Sequence, residues 1–301
     1  MNTNKIEIYS FYRFIKIDNR KKLKLKIDRL LMDLNIKGTI LIASEGINGS
    51  ISGDPNDLNK IFKFLKRTLK IRNLSLKINY LNSHAFNKVK VRIKKEIVSL
   101  GIKNFKFKQK KNNNIHPKDW DKFINNDDVS CIDIRNIYEI AIGSFGDAIN
   151  PKTKSFREFP EKFKKLNLHK NKAIAMYCTG GIRCEKVSMY LKSKGYKKLY
   201  QLEGGILNYM DYKFRSNKKS YWKGECFVFD KRVTVNKNLK KGSYQQCYGC
   251  RRPITDEEFK SEKYKKGVHC PNCYYERTPE QFKSSSIRQF QINNSIAKNF
   301  Y

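Results

Sequence analysis

Two groups of cysteines in this chain have spacings that suit chemistry. The first lies in "YCTGGIRCEK", Tyr177–Lys186. The apolar run Ala173–Met176 precedes it and a helix-like pattern follows, so Cys178 should stand at the end of a buried strand. Thr179, Gly180, Gly181 and Ile182 must then turn the chain in little space, which glycine permits. Such a turn aims backbone N–H groups at the N-terminus of the next helix, a spot that favours an anion. A thiol held there loses its proton readily and becomes a nucleophile. Arg183 adds positive charge and can anchor an oxyanion. Cys184, one helical turn in, is either a packing and supporting residue or a second redox partner. The ordinary alternative is a structural cysteine before a glycine turn. Cys-x₄-Arg at a strand-to-helix turn argues against it.

The second group is Cys247-x₂-Cys250-x₁₉-Cys270-x₂-Cys273. Each Cys-x₂-Cys pair puts two thiolates on one tight turn, and two pairs complete a tetrahedron for a closed, structural zinc. Gly249, Pro271 and Asn272 suit such turns, and His269 is a surplus neighbour. Arg251, Arg252, Lys263, Lys265 and Lys266 beside the cluster either meet RNA phosphates or form a solvated face. The remaining cysteines are Cys131 and Cys226. In a reducing compartment, clustered cysteines suggest metal or catalysis rather than disulfides.

The elements around these groups divide the chain. Residues 1–100 read as a ferredoxin-like α+β domain, in the order β-α-β-β-α-β with one extra strand allowed. Its strands fall at Ile6–Phe14, Gly38–Ala43, Gly49–Gly53, Leu74–Leu81 and Lys88–Ile93. "SEGIN" (Ser44–Asn48) is a turn, and Asp54-Pro55 caps and opens the second helix. Residues 101–115 are expected to be a basic linker. Residues 116–220 change to α/β, with short apolar strands at Val129–Arg135, Ala173–Cys178 and Lys197–Ile206. That pattern implies a parallel sheet with helices on both faces, whose ligands bind beyond the strands' carboxyl ends. Residues 221–280 carry the four-cysteine region, and 281–301, rich in Ser, Asn and Lys, should be a frayed tail.

The totals set wide limits. Against 64 Lys+Arg stand 28 Asp+Glu, a formal charge of +36, and such a field attracts nucleic acid. A chain crowded with Lys, Asn, Ile, Phe and Tyr, all with AT-rich codons, supplies a second explanation for the excess. No apolar run is long enough for a membrane span, and MNTNKIEIYS lacks a signal-peptide core, so a cytoplasmic protein is expected.

"CTGGIRCEK", with "LEGGI" about 25 residues later and "CIDIRNIYEIAIGSFGDAINP" upstream, resembles a rhodanese domain. In that family the loop cysteine carries sulfur as a persulfide. Asp133 and Arg135 match its "DxR" strand end, and Glu139 its next acidic position. The loop is one residue shorter than the Cys-x₅-Arg loop of dual-specificity phosphatases, which resembles the sulfur-handling members. "GTILIASEGINGSISG", "NPKTKSFREFP" and "CYGCRRPITDEEF…GVHCPNC" extend the likeness over about residues 5–280. The whole resembles the rhodanese-domain tRNA uridine hydroxylase family, called TrhO. The resemblance implies oxygen-dependent hydroxylation of the tRNA wobble uridine in the anticodon to 5-hydroxyuridine. Cys178 matches the catalytic cysteine. Sulfurtransfer from Cys178 to tRNA or a carrier protein is the alternative. Molecular oxygen as co-substrate rests on the resemblance alone. The four histidines, His84, His116, His169 and His269, form no iron-binding pattern, and no Gly-rich flavin fingerprint occurs.

Overall fold

The computed structural model describes residues 6–72, 74–102 and 113–297. The N-terminal unit runs β1 (Ile6–Phe14), α1 (Arg20–Met32), β2 (Ile36–Ala43), β3 (Gly46–Gly53), α2 (Pro55–Thr68), β4 (Ser75–Leu81) and β5 (Val89–Ile93). Its sheet has the order β4-β1-β3-β2-β5, antiparallel except for β5, which runs parallel to β2. The first four strands are the ferredoxin-like arrangement and β5 is the extra strand. Leu23, Ile27 and Leu31 of α1 and Leu58, Ile61, Phe62 and Leu65 of α2 are buried against Phe11, Ile40, Ile47 and Ile51 of the sheet. The Asp54 side chain accepts from Asn56 N–H at 2.8 Å, and Pro55 opens α2, as the sequence predicts. β2 and β3 are longer than expected. "SEGIN" contributes a two-residue hairpin loop, Ser44-Glu45, because Ala43 already pairs with Gly46.

The second unit holds β6 (Asn113–Ile115), α3 (Pro117–Ile124), β7 (Val129–Asp133), α4 (Ile137–Ile140), β8 (Gly143–Phe145), α5 (Phe159–Lys164), β9 (Ala173–Tyr177), α6 (Ile182–Ser193), β10 (Leu199–Leu202) and α7 (Gly205–Arg215). Its sheet is all parallel, in the order β6-β10-β9-β7. One face packs Phe159 and Phe163 of α5 and Val187 and Leu191 of α6. The other packs Trp120 of α3 and Ile206, Tyr209 and Met210 of α7. The basic linker expected over 101–115 therefore ends in a strand. Asn113 and Asn114 carry no apolar signal, but their amides pair with Leu199 O (3.2 Å) and the Gln201 side chain (2.7 Å) at the sheet edge. Residues 103–112 of that linker lie outside the described residues.

The third unit is built of short pairs. β11 (Trp222–Gly224) pairs back onto β8, β12 (Cys226–Phe227) pairs with β13 (Thr234–Val235), and β14 (Gln245–Gln246) pairs with β15 (Pro253–Ile254). Helices α8 (Asp256–Lys260), α9 (Pro271–Tyr274) and α10 (Pro279–Ala297) follow. Residues 279–297 are thus helical where the composition suggested fraying. Tertiary contacts account for this. The Arg288 side chain donates to Tyr248 O (2.9 Å) and Gly267 O (2.8 Å), and Arg277 reaches Gln281 O and Ser285. No helix among the described residues is long and apolar enough to cross a membrane.

An ion cluster joins the first two units. Lys186 of α6, fully buried, donates to Glu45 (2.8 and 3.0 Å), to Glu96 (2.5 Å) and to Val98 O (2.6 Å). Around it Phe14, Ala43 and Ile97 of the first unit pack on Met189 of α6. Replacing Lys186 with Ala leaves both carboxylates without their cation. Urea unfolding should then record a loss of about 3–5 kcal/mol. A loss of about 1 kcal/mol or less, the range of exposed pairs, would contradict this.

Candidate active site and cysteine cluster

Cys178 follows β9 directly, and Gly181 takes a left-handed φ of +96° to start α6. That geometry turns Gly181 N–H onto the Cys178 sulfur at 3.1 Å. A second glycine shapes the loop from outside. The Cβ of any other residue at Gly205, which has φ +69°, would lie 2.5 Å from Cys178 O and 2.6 Å from Thr179 O. Without one, α7 packs its first amides onto the loop: Ile206 N–H donates to Cys178 O (3.0 Å) and Leu207 N–H to Thr179 O (3.2 Å). "LEGGI" is thus the buttress of the cysteine loop.

The electrostatics single out Cys178. Burial alone would push its thiol up. The Cys184 thiol, the Arg183 charge and the N–H groups of Cys184 and Gly181 outweigh burial and bring it down to about 5. The other cysteines of this domain and its border move the opposite way. Burial raises Cys184, with the Cys178 thiolate adding to the effect, and burial also raises Cys131 and pushes Cys226 up to about 12. The sulfur does not protrude: Cys178 is only 1% exposed.

Arg183 is placed differently from the expectation of a free anion grip. Its guanidinium is engaged by the fully buried Glu139 at 2.6 and 2.7 Å, with a longer contact to the Thr179 hydroxyl at 3.4 Å. Burial pushes the Glu139 carboxyl up, but the charge and hydrogen bonds of Arg183, the Arg135 charge and the Asn136 N–H together hold it low. Asp133 and Arg135 form a second buried pair at 2.6–3.2 Å, and Arg135 also donates to Glu139 O and Gly143 O. Its guanidinium lies 4.9 Å from the Trp222 ring. These residues brace the loop from behind. In front, Gly180 faces open space, and a Cβ there would meet nothing within 4 Å. Ile182, half-buried, packs with Tyr12 against the inter-unit contact. The Tyr12 hydroxyl would lie 3.2 Å from a Cβ at Gly181. Burial, and then the neighbouring Glu185, keep that phenol protonated. Sequence reasoning missed Tyr12, Gly205 and the Lys186 cluster. "SEGIN" holds Glu45 of that cluster and "LEGGI" holds Gly205, while no motif marks Tyr12.

The four cysteines of the third unit converge, with their sulfurs all within 4.8 Å of one another. Cys247–Cys273 is 4.0 Å, Cys250–Cys270 3.9 Å and Cys270–Cys273 3.8 Å. A tetrahedron with metal–sulfur bonds of about 2.3 Å has edges of about 3.8 Å, so the site fits a metal such as zinc. His269 points instead to Lys263 O at 2.9 Å.

Residues 6–97 match a family described as UPF0176 acylphosphatase like domain, and residues 116–211 match the Rhodanese-like domain. Fold and loop together thus define a two-domain rhodanese-type protein with a C-terminal cysteine cluster. Over 288 residues the chain is 45% identical to the tRNA uridine(34) hydroxylase of Pelagibacter ubique (strain HTCC1062), covering 95% of this chain and 94% of that one. It belongs to the family of that hydroxylase. Among solved structures, a rhodanese-related protein from Thermoplasma volcanium is 25% identical over 33% of this chain and 92% of its own, with a TM-score of 0.28. A rhodanese-like domain protein from Staphylococcus aureus is 24% identical over 32% of this chain and 90% of its own, also with a TM-score of 0.28.

The loop geometry makes a measurable demand. The thiolate absorbance lost in Cys178→Ser, titrated against the parent protein, should show a step near pH 5. A step near the ordinary thiol value of about 8.5 would contradict it. Cys184→Ala removes a donor and should move the step upward.

Proposed function

We propose that this protein hydroxylates the wobble uridine of tRNA at C5, using molecular oxygen. The observation that carries the reading is kinship along 95% of the chain with a protein named as a tRNA uridine(34) hydroxylase. The loop supports it with a thiolate held at the mouth of α6. Cys178 acts as the nucleophile and adds to C6 of the uracil ring. The amides of Gly181 and Cys184 hold its charge before attack and after release. Addition at C6 makes C5 electron-rich. One oxygen atom ends on C5 and the other leaves as water, which takes two electrons and two protons from a thiol donor. The C5 hydrogen is lost when Cys178 departs and the ring double bond returns. Arg183, Asp133 and Arg135 serve as positioning residues rather than as groups that touch the base. Zinc at Cys247, Cys250, Cys270 and Cys273 holds the third unit together. A tRNA substrate supports a cytoplasmic location.

Sulfurtransfer from a Cys178 persulfide is the second reading, favoured by the rhodanese loop itself. Incubation with unmodified tRNA and a dithiol reductant in air, without a persulfide or thiosulfate donor, separates the two. Nucleoside mass spectrometry should show one added oxygen on an anticodon uridine, none under anaerobiosis and none with Cys178→Ser. Thiolation that needs no oxygen would overturn the first reading, and hydroxylation by Cys178→Ser would discard the mechanism. Elemental analysis should find about one zinc per chain. Chelation should expose amides of residues 247–273 to hydrogen exchange before those of the parallel sheet. Protein purified without oxygen and lacking metal would refute the zinc assignment.

A further inference from the structure

The cysteine cluster carries aromatic rings that the fold leaves in water. Tyr248 is 47% exposed and Tyr275 78%. Each has a cation over its ring: the Arg251 guanidinium lies 5.3 Å from the Tyr248 centroid, and the Lys263 ammonium 4.8 Å from that of Tyr275. The two tyrosines belong to different Cys-x₂-Cys turns. Tyr248 follows Cys247, Tyr275 stands two residues after Cys273, and those two sulfurs are 4.0 Å apart. Both rings therefore rise from one rigid knot. Exposed rings with cations beside them suit a ligand that has both flat faces and negative charge.

The knot also has a contact route to the reactive loop. Tyr244, three residues before Cys247, packs with Tyr138 against the buried cluster that contains Phe227. Tyr138 packs edge-on against Phe227 at 5.5 Å, and Phe227 O accepts from the Thr179 hydroxyl at 3.5 Å. Thr179 is next to Cys178.

We infer that the cysteine cluster is a platform for unpaired RNA bases, with Tyr248 and Tyr275 stacking under bases beside the one at Cys178 and Arg251 and Lys263 facing the intervening phosphates. The inference rests on the reading that the substrate is an RNA loop. It names which part of the protein takes the neighbouring bases. Stacking needs unstacked, splayed nucleotides, so the surface selects a loop over a duplex.

The test is fluorescence anisotropy with the full chain and two labelled RNAs of equal length, a hairpin with a uridine-containing loop and a blunt duplex. Tyr248→Ala and Tyr275→Ala should each weaken hairpin binding by about 5- to 150-fold, the loss of one base stack. Tyr275→Phe keeps the ring and should bind as the parent does. Duplex binding should change little, and metal content should match the parent in every variant. Unchanged hairpin binding by the metal-replete alanine variants would overturn the inference. So would equal losses on hairpin and duplex, which would reduce the surface to charge. A parent protein that hydroxylates no tRNA but shows the ring dependence would sink the functional reading and leave this surface standing. Hydroxylation without ring dependence would do the reverse.

Discussion

Keeping a negative sulfur inside a protein is the constraint on which the rest of this structure depends. Cys178 is almost fully buried, and burial works against its ionised form. The compensation is local and geometric: Gly181 N–H at 3.1 Å, the Cys184 N–H and thiol, and the nearby Arg183 charge. Each requires the chain to bend in a particular way. Gly181 must adopt φ +96°, and Gly205 must carry no side chain so that α7 can meet the loop carbonyls. Arg183 in turn needs Glu139, since an unpaired guanidinium at that depth would itself be unstable. The parallel sheet supplies the fixed strand end from which these groups converge.

The N-terminal unit takes part in the same problem. Lys186 lies two residues past Cys184 on α6, and it ties that helix to Glu45 and Glu96 of the other unit. Tyr12 and Phe14 pack beside it, and the Tyr12 hydroxyl lies near Gly181. The helix that stabilises the thiolate is therefore held in place by a neighbouring domain.

Much of this was legible in the sequence because it rests on local rules. The strand-glycine-helix pattern around Cys178, the Asp54-Pro55 cap and the twin Cys-x₂-Cys turns each depend on a few neighbouring residues. What escaped has another origin. Asn113–Ile115 becomes a strand only because the β10 edge is there to pair with it. α10 is ordered by Arg288 reaching carbonyls some 20 and 40 residues away. The Arg183–Glu139 and Lys186–Glu45 pairs span 44 and 141 positions, beyond any periodicity. Arg183 was read as an anion grip because its position in the loop was visible and its partner was not.

That partner bears on which chemistry the loop favours. Glu139 cancels the charge of Arg183, and Asp133 cancels that of Arg135. With Cys178 ionised, the buried shell keeps one uncompensated negative charge, and the nearest amides already point at the sulfur. A dianionic sulfur donor or phosphate brought to that atom meets repulsion in a poorly screened place. A uracil ring is neutral and meets none. Addition of the thiolate to C6 moves the charge off the sulfur and onto the ring and its carbonyl oxygens. The cancelled arginine thus supports a neutral pyrimidine as the partner of Cys178, in line with hydroxylation rather than sulfur transfer from an anionic donor.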